Sequence, residues 1–171
     1  MIPPLLIRPA VRDDCQSILD IYNEAVLNTT ASYDYEPSTL ERRLAWFDAH
    51  ERDDYAIWVA VDEAAPNGPR VIGWSSLSRF HDRPGYRFTC ENSIYVAAER
   101  RGQGIGNTLM TPLITSARKR GLHVIIAAID ASNEASIRLH AKHGFQKVAH
   151  FREVGFKFGR WLDVVDMQLT L

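Results

Sequence analysis

Three scarcities narrow this 171-residue sequence before any motif is considered. Cysteine is nearly absent. Cys15 and Cys90 stand far apart, without zinc-site spacing and without the even, dense pattern of a disulfide framework. That fits a reducing compartment, so a cytoplasmic protein with no metal centre is expected. Excess charge of either sign is also missing: 20 Lys and Arg against 21 Asp and Glu leave a net charge of −1. Nucleic-acid binding needs a basic face, and no nucleic-acid partner is expected. Long apolar runs are lacking too. The longest aliphatic stretch, residues 124–129, is far too short to cross a bilayer, so no membrane partner is expected. The opening M-I-P-P-L-L-I-R-P has neither a basic n-region nor a long apolar h-region, and a signal peptide is not expected. No repeat, low-complexity tract or linker divides the chain. With 46% hydrophobic and 24% charged residues, it has the composition of an ordinary globule, one domain over residues 1–171.

What is present is organised around residues 90–113, C-E-N-S-I-Y-V-A-A-E-R-R-G-Q-G-I-G-N-T-L-M-T-P-L. Residues 90–96 form a short apolar run carrying a carboxylate, Glu91. Residues 100–106 interleave two arginines with three glycines. Helical spacing follows, with Ile105, Leu109, Leu113, Ile114 and Ala117 on one face. Strand, glycine turn and helix together make an anion site. Residues without Cβ let backbone amides approach a phosphate, and the helix start adds the positive end of its dipole.

The rest of the chain supplies further elements. Residues 5–8 read as a strand closed by Pro9. Asp13 and Gln16 form a capping box for a helix that turns Cys15, Ile18, Leu19, Tyr22 and Val26 inward. Ser38 and Glu41 form a second box, with Leu40, Leu44 and Phe47 inward. Residues 55–61 and 71–77 read as hairpin strands about the 65–69 turn, and 78–87 as a cationic, aromatic loop. Pro112 predicts a kink or an irregular first half in the central helix, which Gly121 ends. A buried strand over 123–129, a polar break at 130–133 and a helix over 134–143 follow. Two closing strands at 145–151 and 164–171 are joined by a connection. The order β-α-α-β-β-β-α-β-α-β-β predicts a mixed α/β fold with helices on both faces of one sheet.

That order, with R-R-G-Q-G-I-G opening the third helix, resembles the GNAT-type N-acetyltransferases. Arg101, Gly104 and Gly106 match the family's Q/R-x-x-G-x-G/A signature, and residues 133–145 are similar to its second cofactor element. More narrowly, T-C-E-N-S-I-Y-V, L-H-A-K-H-G-F and G-F-K-F-G-R-W-L-D resemble the phosphinothricin and methionine-sulfone acetyltransferases. The resemblance implies the GNAT fold, a mixed and mostly antiparallel sheet of about seven strands flanked by about four helices. It also implies acetyl-CoA as donor, a small amino-acid-like acceptor and a homodimer. Gly102, Gln103, Gly104, Ile105, Gly106 and Asn107 would offer amides to the pyrophosphate, while Ile94, Tyr95 and Val96 would run beside the pantetheine arm. The Val96 amide would polarise the thioester carbonyl. Asn133, with Ser136 in the same element, would contact the cofactor, and Asn133 also suits a helix cap.

Glu91 is the candidate general base, since partial burial raises a carboxyl pKa; a structural ion pair with Arg83 or Arg87 is the other reading. A base of this kind suffices for an α-amine. Near pKa ~8 its deprotonation at pH 7 costs about 1.4 kcal/mol, against about 4.6 for a lysine near ~10.4. His140 stands where many family members carry a tyrosine; it would protonate the leaving thiolate or orient the arm. On the acceptor side, Arg83 and Tyr86 match the subgroup in spacing from the glutamate, and Arg79 and Thr30 join them as candidates. His81 replaces a lysine of the phosphinothricin enzymes. Cys90 is not proposed as a nucleophile, because alternation puts it on the face opposite Glu91. Two rival readings share these motifs: a peptide or protein acetyltransferase with an open groove, and a non-catalytic acyl-CoA-binding module.

Overall fold

The computed structural model describes residues 5–68 and 70–171. Residues 1–4 of the opening segment, and Pro69 at the end of the expected 65–69 turn, lie outside the described residues. The elements are β1 (Leu5–Pro9), α1 (Cys15–Asn28), α2 (Leu40–Arg52), β2 (Ile57–Asp62), β3 (Arg70–Arg79), β4 (Thr89–Val96), α3 (Ile105–Lys119), β5 (Val124–Asp130), α4 (Glu134–Lys142), β6 (Gln146–Lys157) and β7 (Arg160–Thr170). They follow the order expected from periodicity. The strands form one sheet, β1-β2-β3-β4-β5-β7-β6, in which β4 and β5 are parallel neighbours and every other pair is antiparallel.

Apolar alternation places helices on both faces. Ile18 and Ile21 of α1 and Phe47 of α2 pack with Ile57, Val59 and Trp74. On the other face Met110 and Leu113 of α3 meet Leu77, Cys90 and Ile125, with Phe145 after α4. Cys90 is fully buried there and burial pushes its thiol up to about 12, so it is an inert core residue.

Local signals were displaced in four places. The first helix is not capped by Asp13. Asp14 instead accepts from the Val11 amide (2.8 Å) and pairs with Arg8 (2.6 Å), because Asp14 is the buried carboxylate and Asp13 faces solvent. The second helix is capped by Thr39, whose hydroxyl accepts from the Arg42 amide (3.3 Å), rather than by Ser38. That shift leaves Leu40 exposed and turns Arg43 inward, its guanidinium held over the rings of Tyr22 (4.6 Å) and Trp46 (4.5 Å). Helix α3 runs unbroken through Pro112. A proline costs about 3 kcal/mol in a helix interior, but Leu109, Met110, Leu113 and Ile114 around it are buried, each contributing about 1.5–3 kcal/mol. The expected connection before the last strand is itself strand: β6 and β7 meet at a two-residue turn, Phe158-Gly159, with φ of 52° and 72°.

The Asp14 arrangement gives a directional prediction. Burial pulls its pKa up, but Arg8 and the Val11 amide override burial and leave the carboxyl below its ordinary value. A depressed carboxyl stabilises the fold above the unfolded-state pKa, and that stability is lost as pH falls through the folded value. In urea titrations at pH 7, Asp14→Ala should lose about 1–3 kcal/mol, whereas Asp13→Ala should stay within about 0.5 kcal/mol.

Candidate active site

The glycine turn adopts the geometry an anion site needs. Gly102 and Gly104 have φ of 77° and 81°, in the left-handed region, and Gly104 is the N-cap of α3. Among the described residues, the amides of Gly102, Gln103, Gly104, Ile105 and Gly106 donate to no backbone or side-chain acceptor. Five free amides at the positive end of a fifteen-residue helix form a concave row of donors. A Cβ on Gly106 would stand 3.0 Å from Leu139 Cδ2, so this glycine lets α3 and α4 approach. Asn107 is oriented from α4: His143 Nε2 donates to Asn107 Oδ1 (3.0 Å), which leaves the Asn107 Nδ2 as a further donor. The Arg101 side chain is committed elsewhere, to Glu24 (2.5 Å) and the Val96 carbonyl (3.2 Å), and so braces the turn against α1 and β4.

The second component is a split in the sheet. β4 and β5 pair only from Thr89 to Glu91 and from Val124 to Ile126, then part. The Ala97 amide donates to the Ile72 carbonyl of β3 (2.9 Å), so by alternation the amides of Asn92, Ile94 and Val96 point away from β3 into the split. Tyr95 differs from its neighbours. Its backbone faces β3, and its ring stacks on Trp74 (4.8 Å between centroids). A groove of about 690 Å³ joins the split to the glycine turn. Thr30, Ile94, Tyr95, Val96, Gly102, Gly104 and Asn107 line it, as do Asn133 and Ser136 at the start of α4. Asn133 Oδ1 accepts from the Ser136 amide (3.1 Å), so Asn133 caps α4 while lining the groove.

Glu91 is half-buried where β4–β5 pairing ends, and its carboxylate has no ion pair or hydrogen bond among the described residues. The expected alternative, a pair with Arg83 or Arg87, is not formed. Burial raises its pKa, the nearby His81 works against that rise, and Asp166 adds to it. His140 lies on the opposite face of β4. Its Nδ1 donates to the Ser136 carbonyl (2.8 Å), which leaves Nε2 to accept from Asn92 Nδ2 (3.0 Å). Burial pushes its pKa down, and the ring is neutral in this arrangement.

The acceptor candidates separate. Thr30 lines the groove. Arg83 and Tyr86 are exposed on the loop before β4, with Tyr86 in a ring cluster with Phe80 and His81, and neither lines the groove. Arg79 pairs with Asp53 (3.8 Å) and Asp82 (3.5 Å) and stands opposite Cys90 in register, on the face away from Glu91. Arg79 is engaged in these ion pairs and does not line the groove. The sequence reading did not identify Asn92, Phe158 or Arg160 as site residues. Asn92 is found only through its contact with His140, and the other two only through the hairpin that brings them to the groove.

Comparison with known proteins agrees with this geometry. Residues 16–145 match the profile of the Acetyltransferase (GNAT) family. The chain is 47% identical over 165 residues to the L-methionine sulfoximine/L-methionine sulfone acetyltransferase of Pseudomonas paraeruginosa, covering 96% of this chain and 94% of that protein. It is 38% identical over 159 residues to the phosphinothricin N-acetyltransferase of Streptomyces coelicolor, covering 92% and 91%. Among solved structures, a GNAT superfamily phosphinothricin acetyltransferase from Sinorhizobium meliloti in complex with acetyl-CoA superposes with a TM-score of 0.92 at 38% identity, covering 98% of this chain and 88% of that one. A glycine turn with free amides, a parted β4–β5 pair and a family match over most of the chain lead to one conclusion: this protein belongs to the GNAT family of acetyltransferases.

Proposed function

We propose that this enzyme transfers acetyl from acetyl-CoA to the α-amine of a small amino-acid analogue of the methionine sulfone, methionine sulfoximine or phosphinothricin type. Transfer is direct, in a ternary complex, in the cytoplasm. The observation that carries the reading is the row of five unpartnered amides at the start of α3, opening into a groove that runs along Ile94, Tyr95 and Val96 of β4. The unpaired Glu91 lies earlier on the same strand and does not itself line the groove. The names of the relatives support the acceptor class. Acetyl-CoA supplies an activated acetyl group. The chain supplies the rest. Gly102 to Gly106 bind the diphosphate through their backbone amides, joined by the side-chain Nδ2 of Asn107. The Asn107 backbone amide is not available as the sequence suggested, because it donates to the Gly104 carbonyl (3.0 Å). The amides of Ile94 and Val96, aimed into the split, hold the arm as an added strand would be held, and the Val96 amide stabilises charge on the thioester oxygen. Glu91 would take the proton from the amine, directly or through a water, as the nitrogen bonds to the acetyl carbon and the C–S bond breaks. CoA would leave as the thiolate and take its proton from solvent water. With Nδ1–H bound to a carbonyl and Nε2 accepting, His140 orients Asn92 and the wall of the split; it is not the acid for the leaving thiolate.

The two rival readings are separated by acceptor and by turnover. A peptide acetyltransferase would prefer peptides over amino-acid analogues, and a binding module would turn over neither. Glu91→Gln should lower kcat near neutral pH by about 10²-fold while CoA affinity stays nearly unchanged. Because burial raises the Glu91 pKa and the base must be ionised, the wild-type rate should fall with acid from above the ordinary carboxylate range. That limb should vanish in the variant. An unchanged rate removes Glu91 from the role.

Gly104→Ala tests the amide row. No atom lies within 4 Å of the new Cβ, so the penalty comes only from the backbone, whose left-handed conformation costs a non-glycine residue about 1–2 kcal/mol. Titration calorimetry should show CoA bound about tenfold more weakly.

A homodimer belongs to the same proposal. Val148, Phe151, Val154, Phe156, Phe158 and Trp161 are all exposed on the β6–β7 hairpin, an apolar surface suited to a second copy. Light scattering at micromolar concentration should give twice the 19.4 kDa chain mass; a monomer overturns this part.

A further inference from the structure

The segment between α1 and α2, residues 29–39, carries Thr29, Thr30 and Ala31 on the groove wall yet has no regular secondary structure. A wall of this kind is accurate only if something holds it, and β6 does so from the far end of the chain. Lys157 is buried, at 4% relative exposure. Its ammonium donates to three backbone carbonyls: Val26 (2.7 Å), Thr29 (2.9 Å) and Ser32 (2.6 Å). An ammonium has three N–H donors and all three are used. Val26 lies in the last turn of α1, where carbonyls lack helical donors, and a cation there also meets the negative end of the helix dipole. Lys157 is thus joined to the end of the helix and to both sides of the Thr30–Ala31 wall at once.

Two neighbours on β6 extend the strap. A Cβ on Gly155 would overlap the Tyr33 ring, so only glycine lets that ring lie flat against the strand. The Tyr33 hydroxyl then reaches Asp130 at the end of β5 (3.2 Å), and burial with Asp130 pushes its pKa up to about 12, which keeps it a donor. Tyr35 donates to the Phe156 carbonyl (2.5 Å). From within the site, the Tyr95 hydroxyl donates to the Ala31 carbonyl (3.2 Å). The β6 strap therefore ties the wall to the same sheet that carries Glu91.

We propose that Lys157 is a positioning residue for the acceptor amine: by tying the Val26 carbonyl at the end of α1 and the Thr29 and Ser32 carbonyls of the α1–α2 segment to β6, it sets the distance between the Thr30–Ala31 wall and the split. This rests on the acetyltransferase reading above. The side chain lies outside the groove lining and acts through the wall. The glycine turn precedes α3 and has no bond to Lys157, although it lines the same groove as the wall, so cutting the strap should weaken acceptor binding more than CoA binding.

The test compares Lys157→Met, which keeps length and removes the donors, with Lys157→Arg, whose planar fork keeps charge and part of the bonding. Hydrogen–deuterium exchange is followed over residues 29–35, with steady-state kinetics on L-methionine sulfone and calorimetry with CoA. Lys157→Met should speed exchange in that segment and raise the acceptor KM by about tenfold or more. CoA affinity should hold within about threefold. Lys157→Arg should fall between the two. A folded Lys157→Met protein with unchanged segment exchange and unchanged acceptor KM overturns the proposal. Should Lys157→Met fail to fold, Gly155→Ala carries the same test by displacing Tyr33, with the same expected outcomes. Collapse of both variants also overturns it, since the strap would then serve the fold as a whole. A wild-type protein that binds CoA but acetylates no amino-acid analogue sinks the functional reading instead, while the exchange measurement still decides the strap.

Discussion

The parting of β4 from β5 after Glu91 and Ile126 is the constraint on which the site depends. Two parallel neighbours that stop pairing leave a row of backbone donors and acceptors facing a gap, and buried backbone groups need partners. Each strand is still held on its other side, β4 by β3 and β5 by β7, so the gap cannot close by sliding. What fits there is an extended molecule with amides of its own. Two polar side chains stand on opposite faces of β4 where the gap begins. Glu91 lies on the α1 side, and Asn92, held by His140, lies on the α3 and α4 side.

Everything around the gap serves to keep it in place. Arg101 ties the glycine turn to Glu24 of α1 and to the Val96 carbonyl. His143 turns the Asn107 amide toward the groove. The stack of Trp74 on Tyr95 fixes the face of β4 that does not carry Asn92. These contacts are polar or aromatic and specific in direction, whereas the helices behind them are held by ordinary aliphatic burial. The division is physical. Area burial is non-directional and sets overall packing, while hydrogen bonds with defined donors set positions to a few tenths of an ångström.

The charge distribution follows the same logic. Arg8 and Asp14, Arg100 and Asp62, and Arg101 and Glu24 are paired away from the reacting centre. Glu91 is half-buried without a partner among the described residues, and so is Asp166 of β7, whose pKa burial also raises. Leaving a carboxylate unpaired is destabilising, which is what makes it a stronger base than a solvated one. Lys157 is the opposite case, a buried cation with every donor satisfied.

The sequence by itself determined the order of strands and helices, the glycine turn and the presence of a lone carboxylate on the strand before it. These depend on local rules: side-chain period, the absence of a Cβ and the cost of a charge near apolar neighbours. It missed by one residue at Asp14 and Thr39, because a cap is chosen by which carboxylate or hydroxyl is turned toward the chain, and adjacent candidates look alike. It missed the length of β6 and β7, because the bulge between Phe151 and Gly155 breaks the alternation that marks a strand. Only the tertiary structure decided that Arg79 pairs with Asp53 and Asp82, that His140 holds Asn92, and that Lys157 reaches carbonyls about 130 positions earlier. Those facts depend on which surfaces meet after the sheet closes, and no spacing along a chain encodes a contact between segments that far apart.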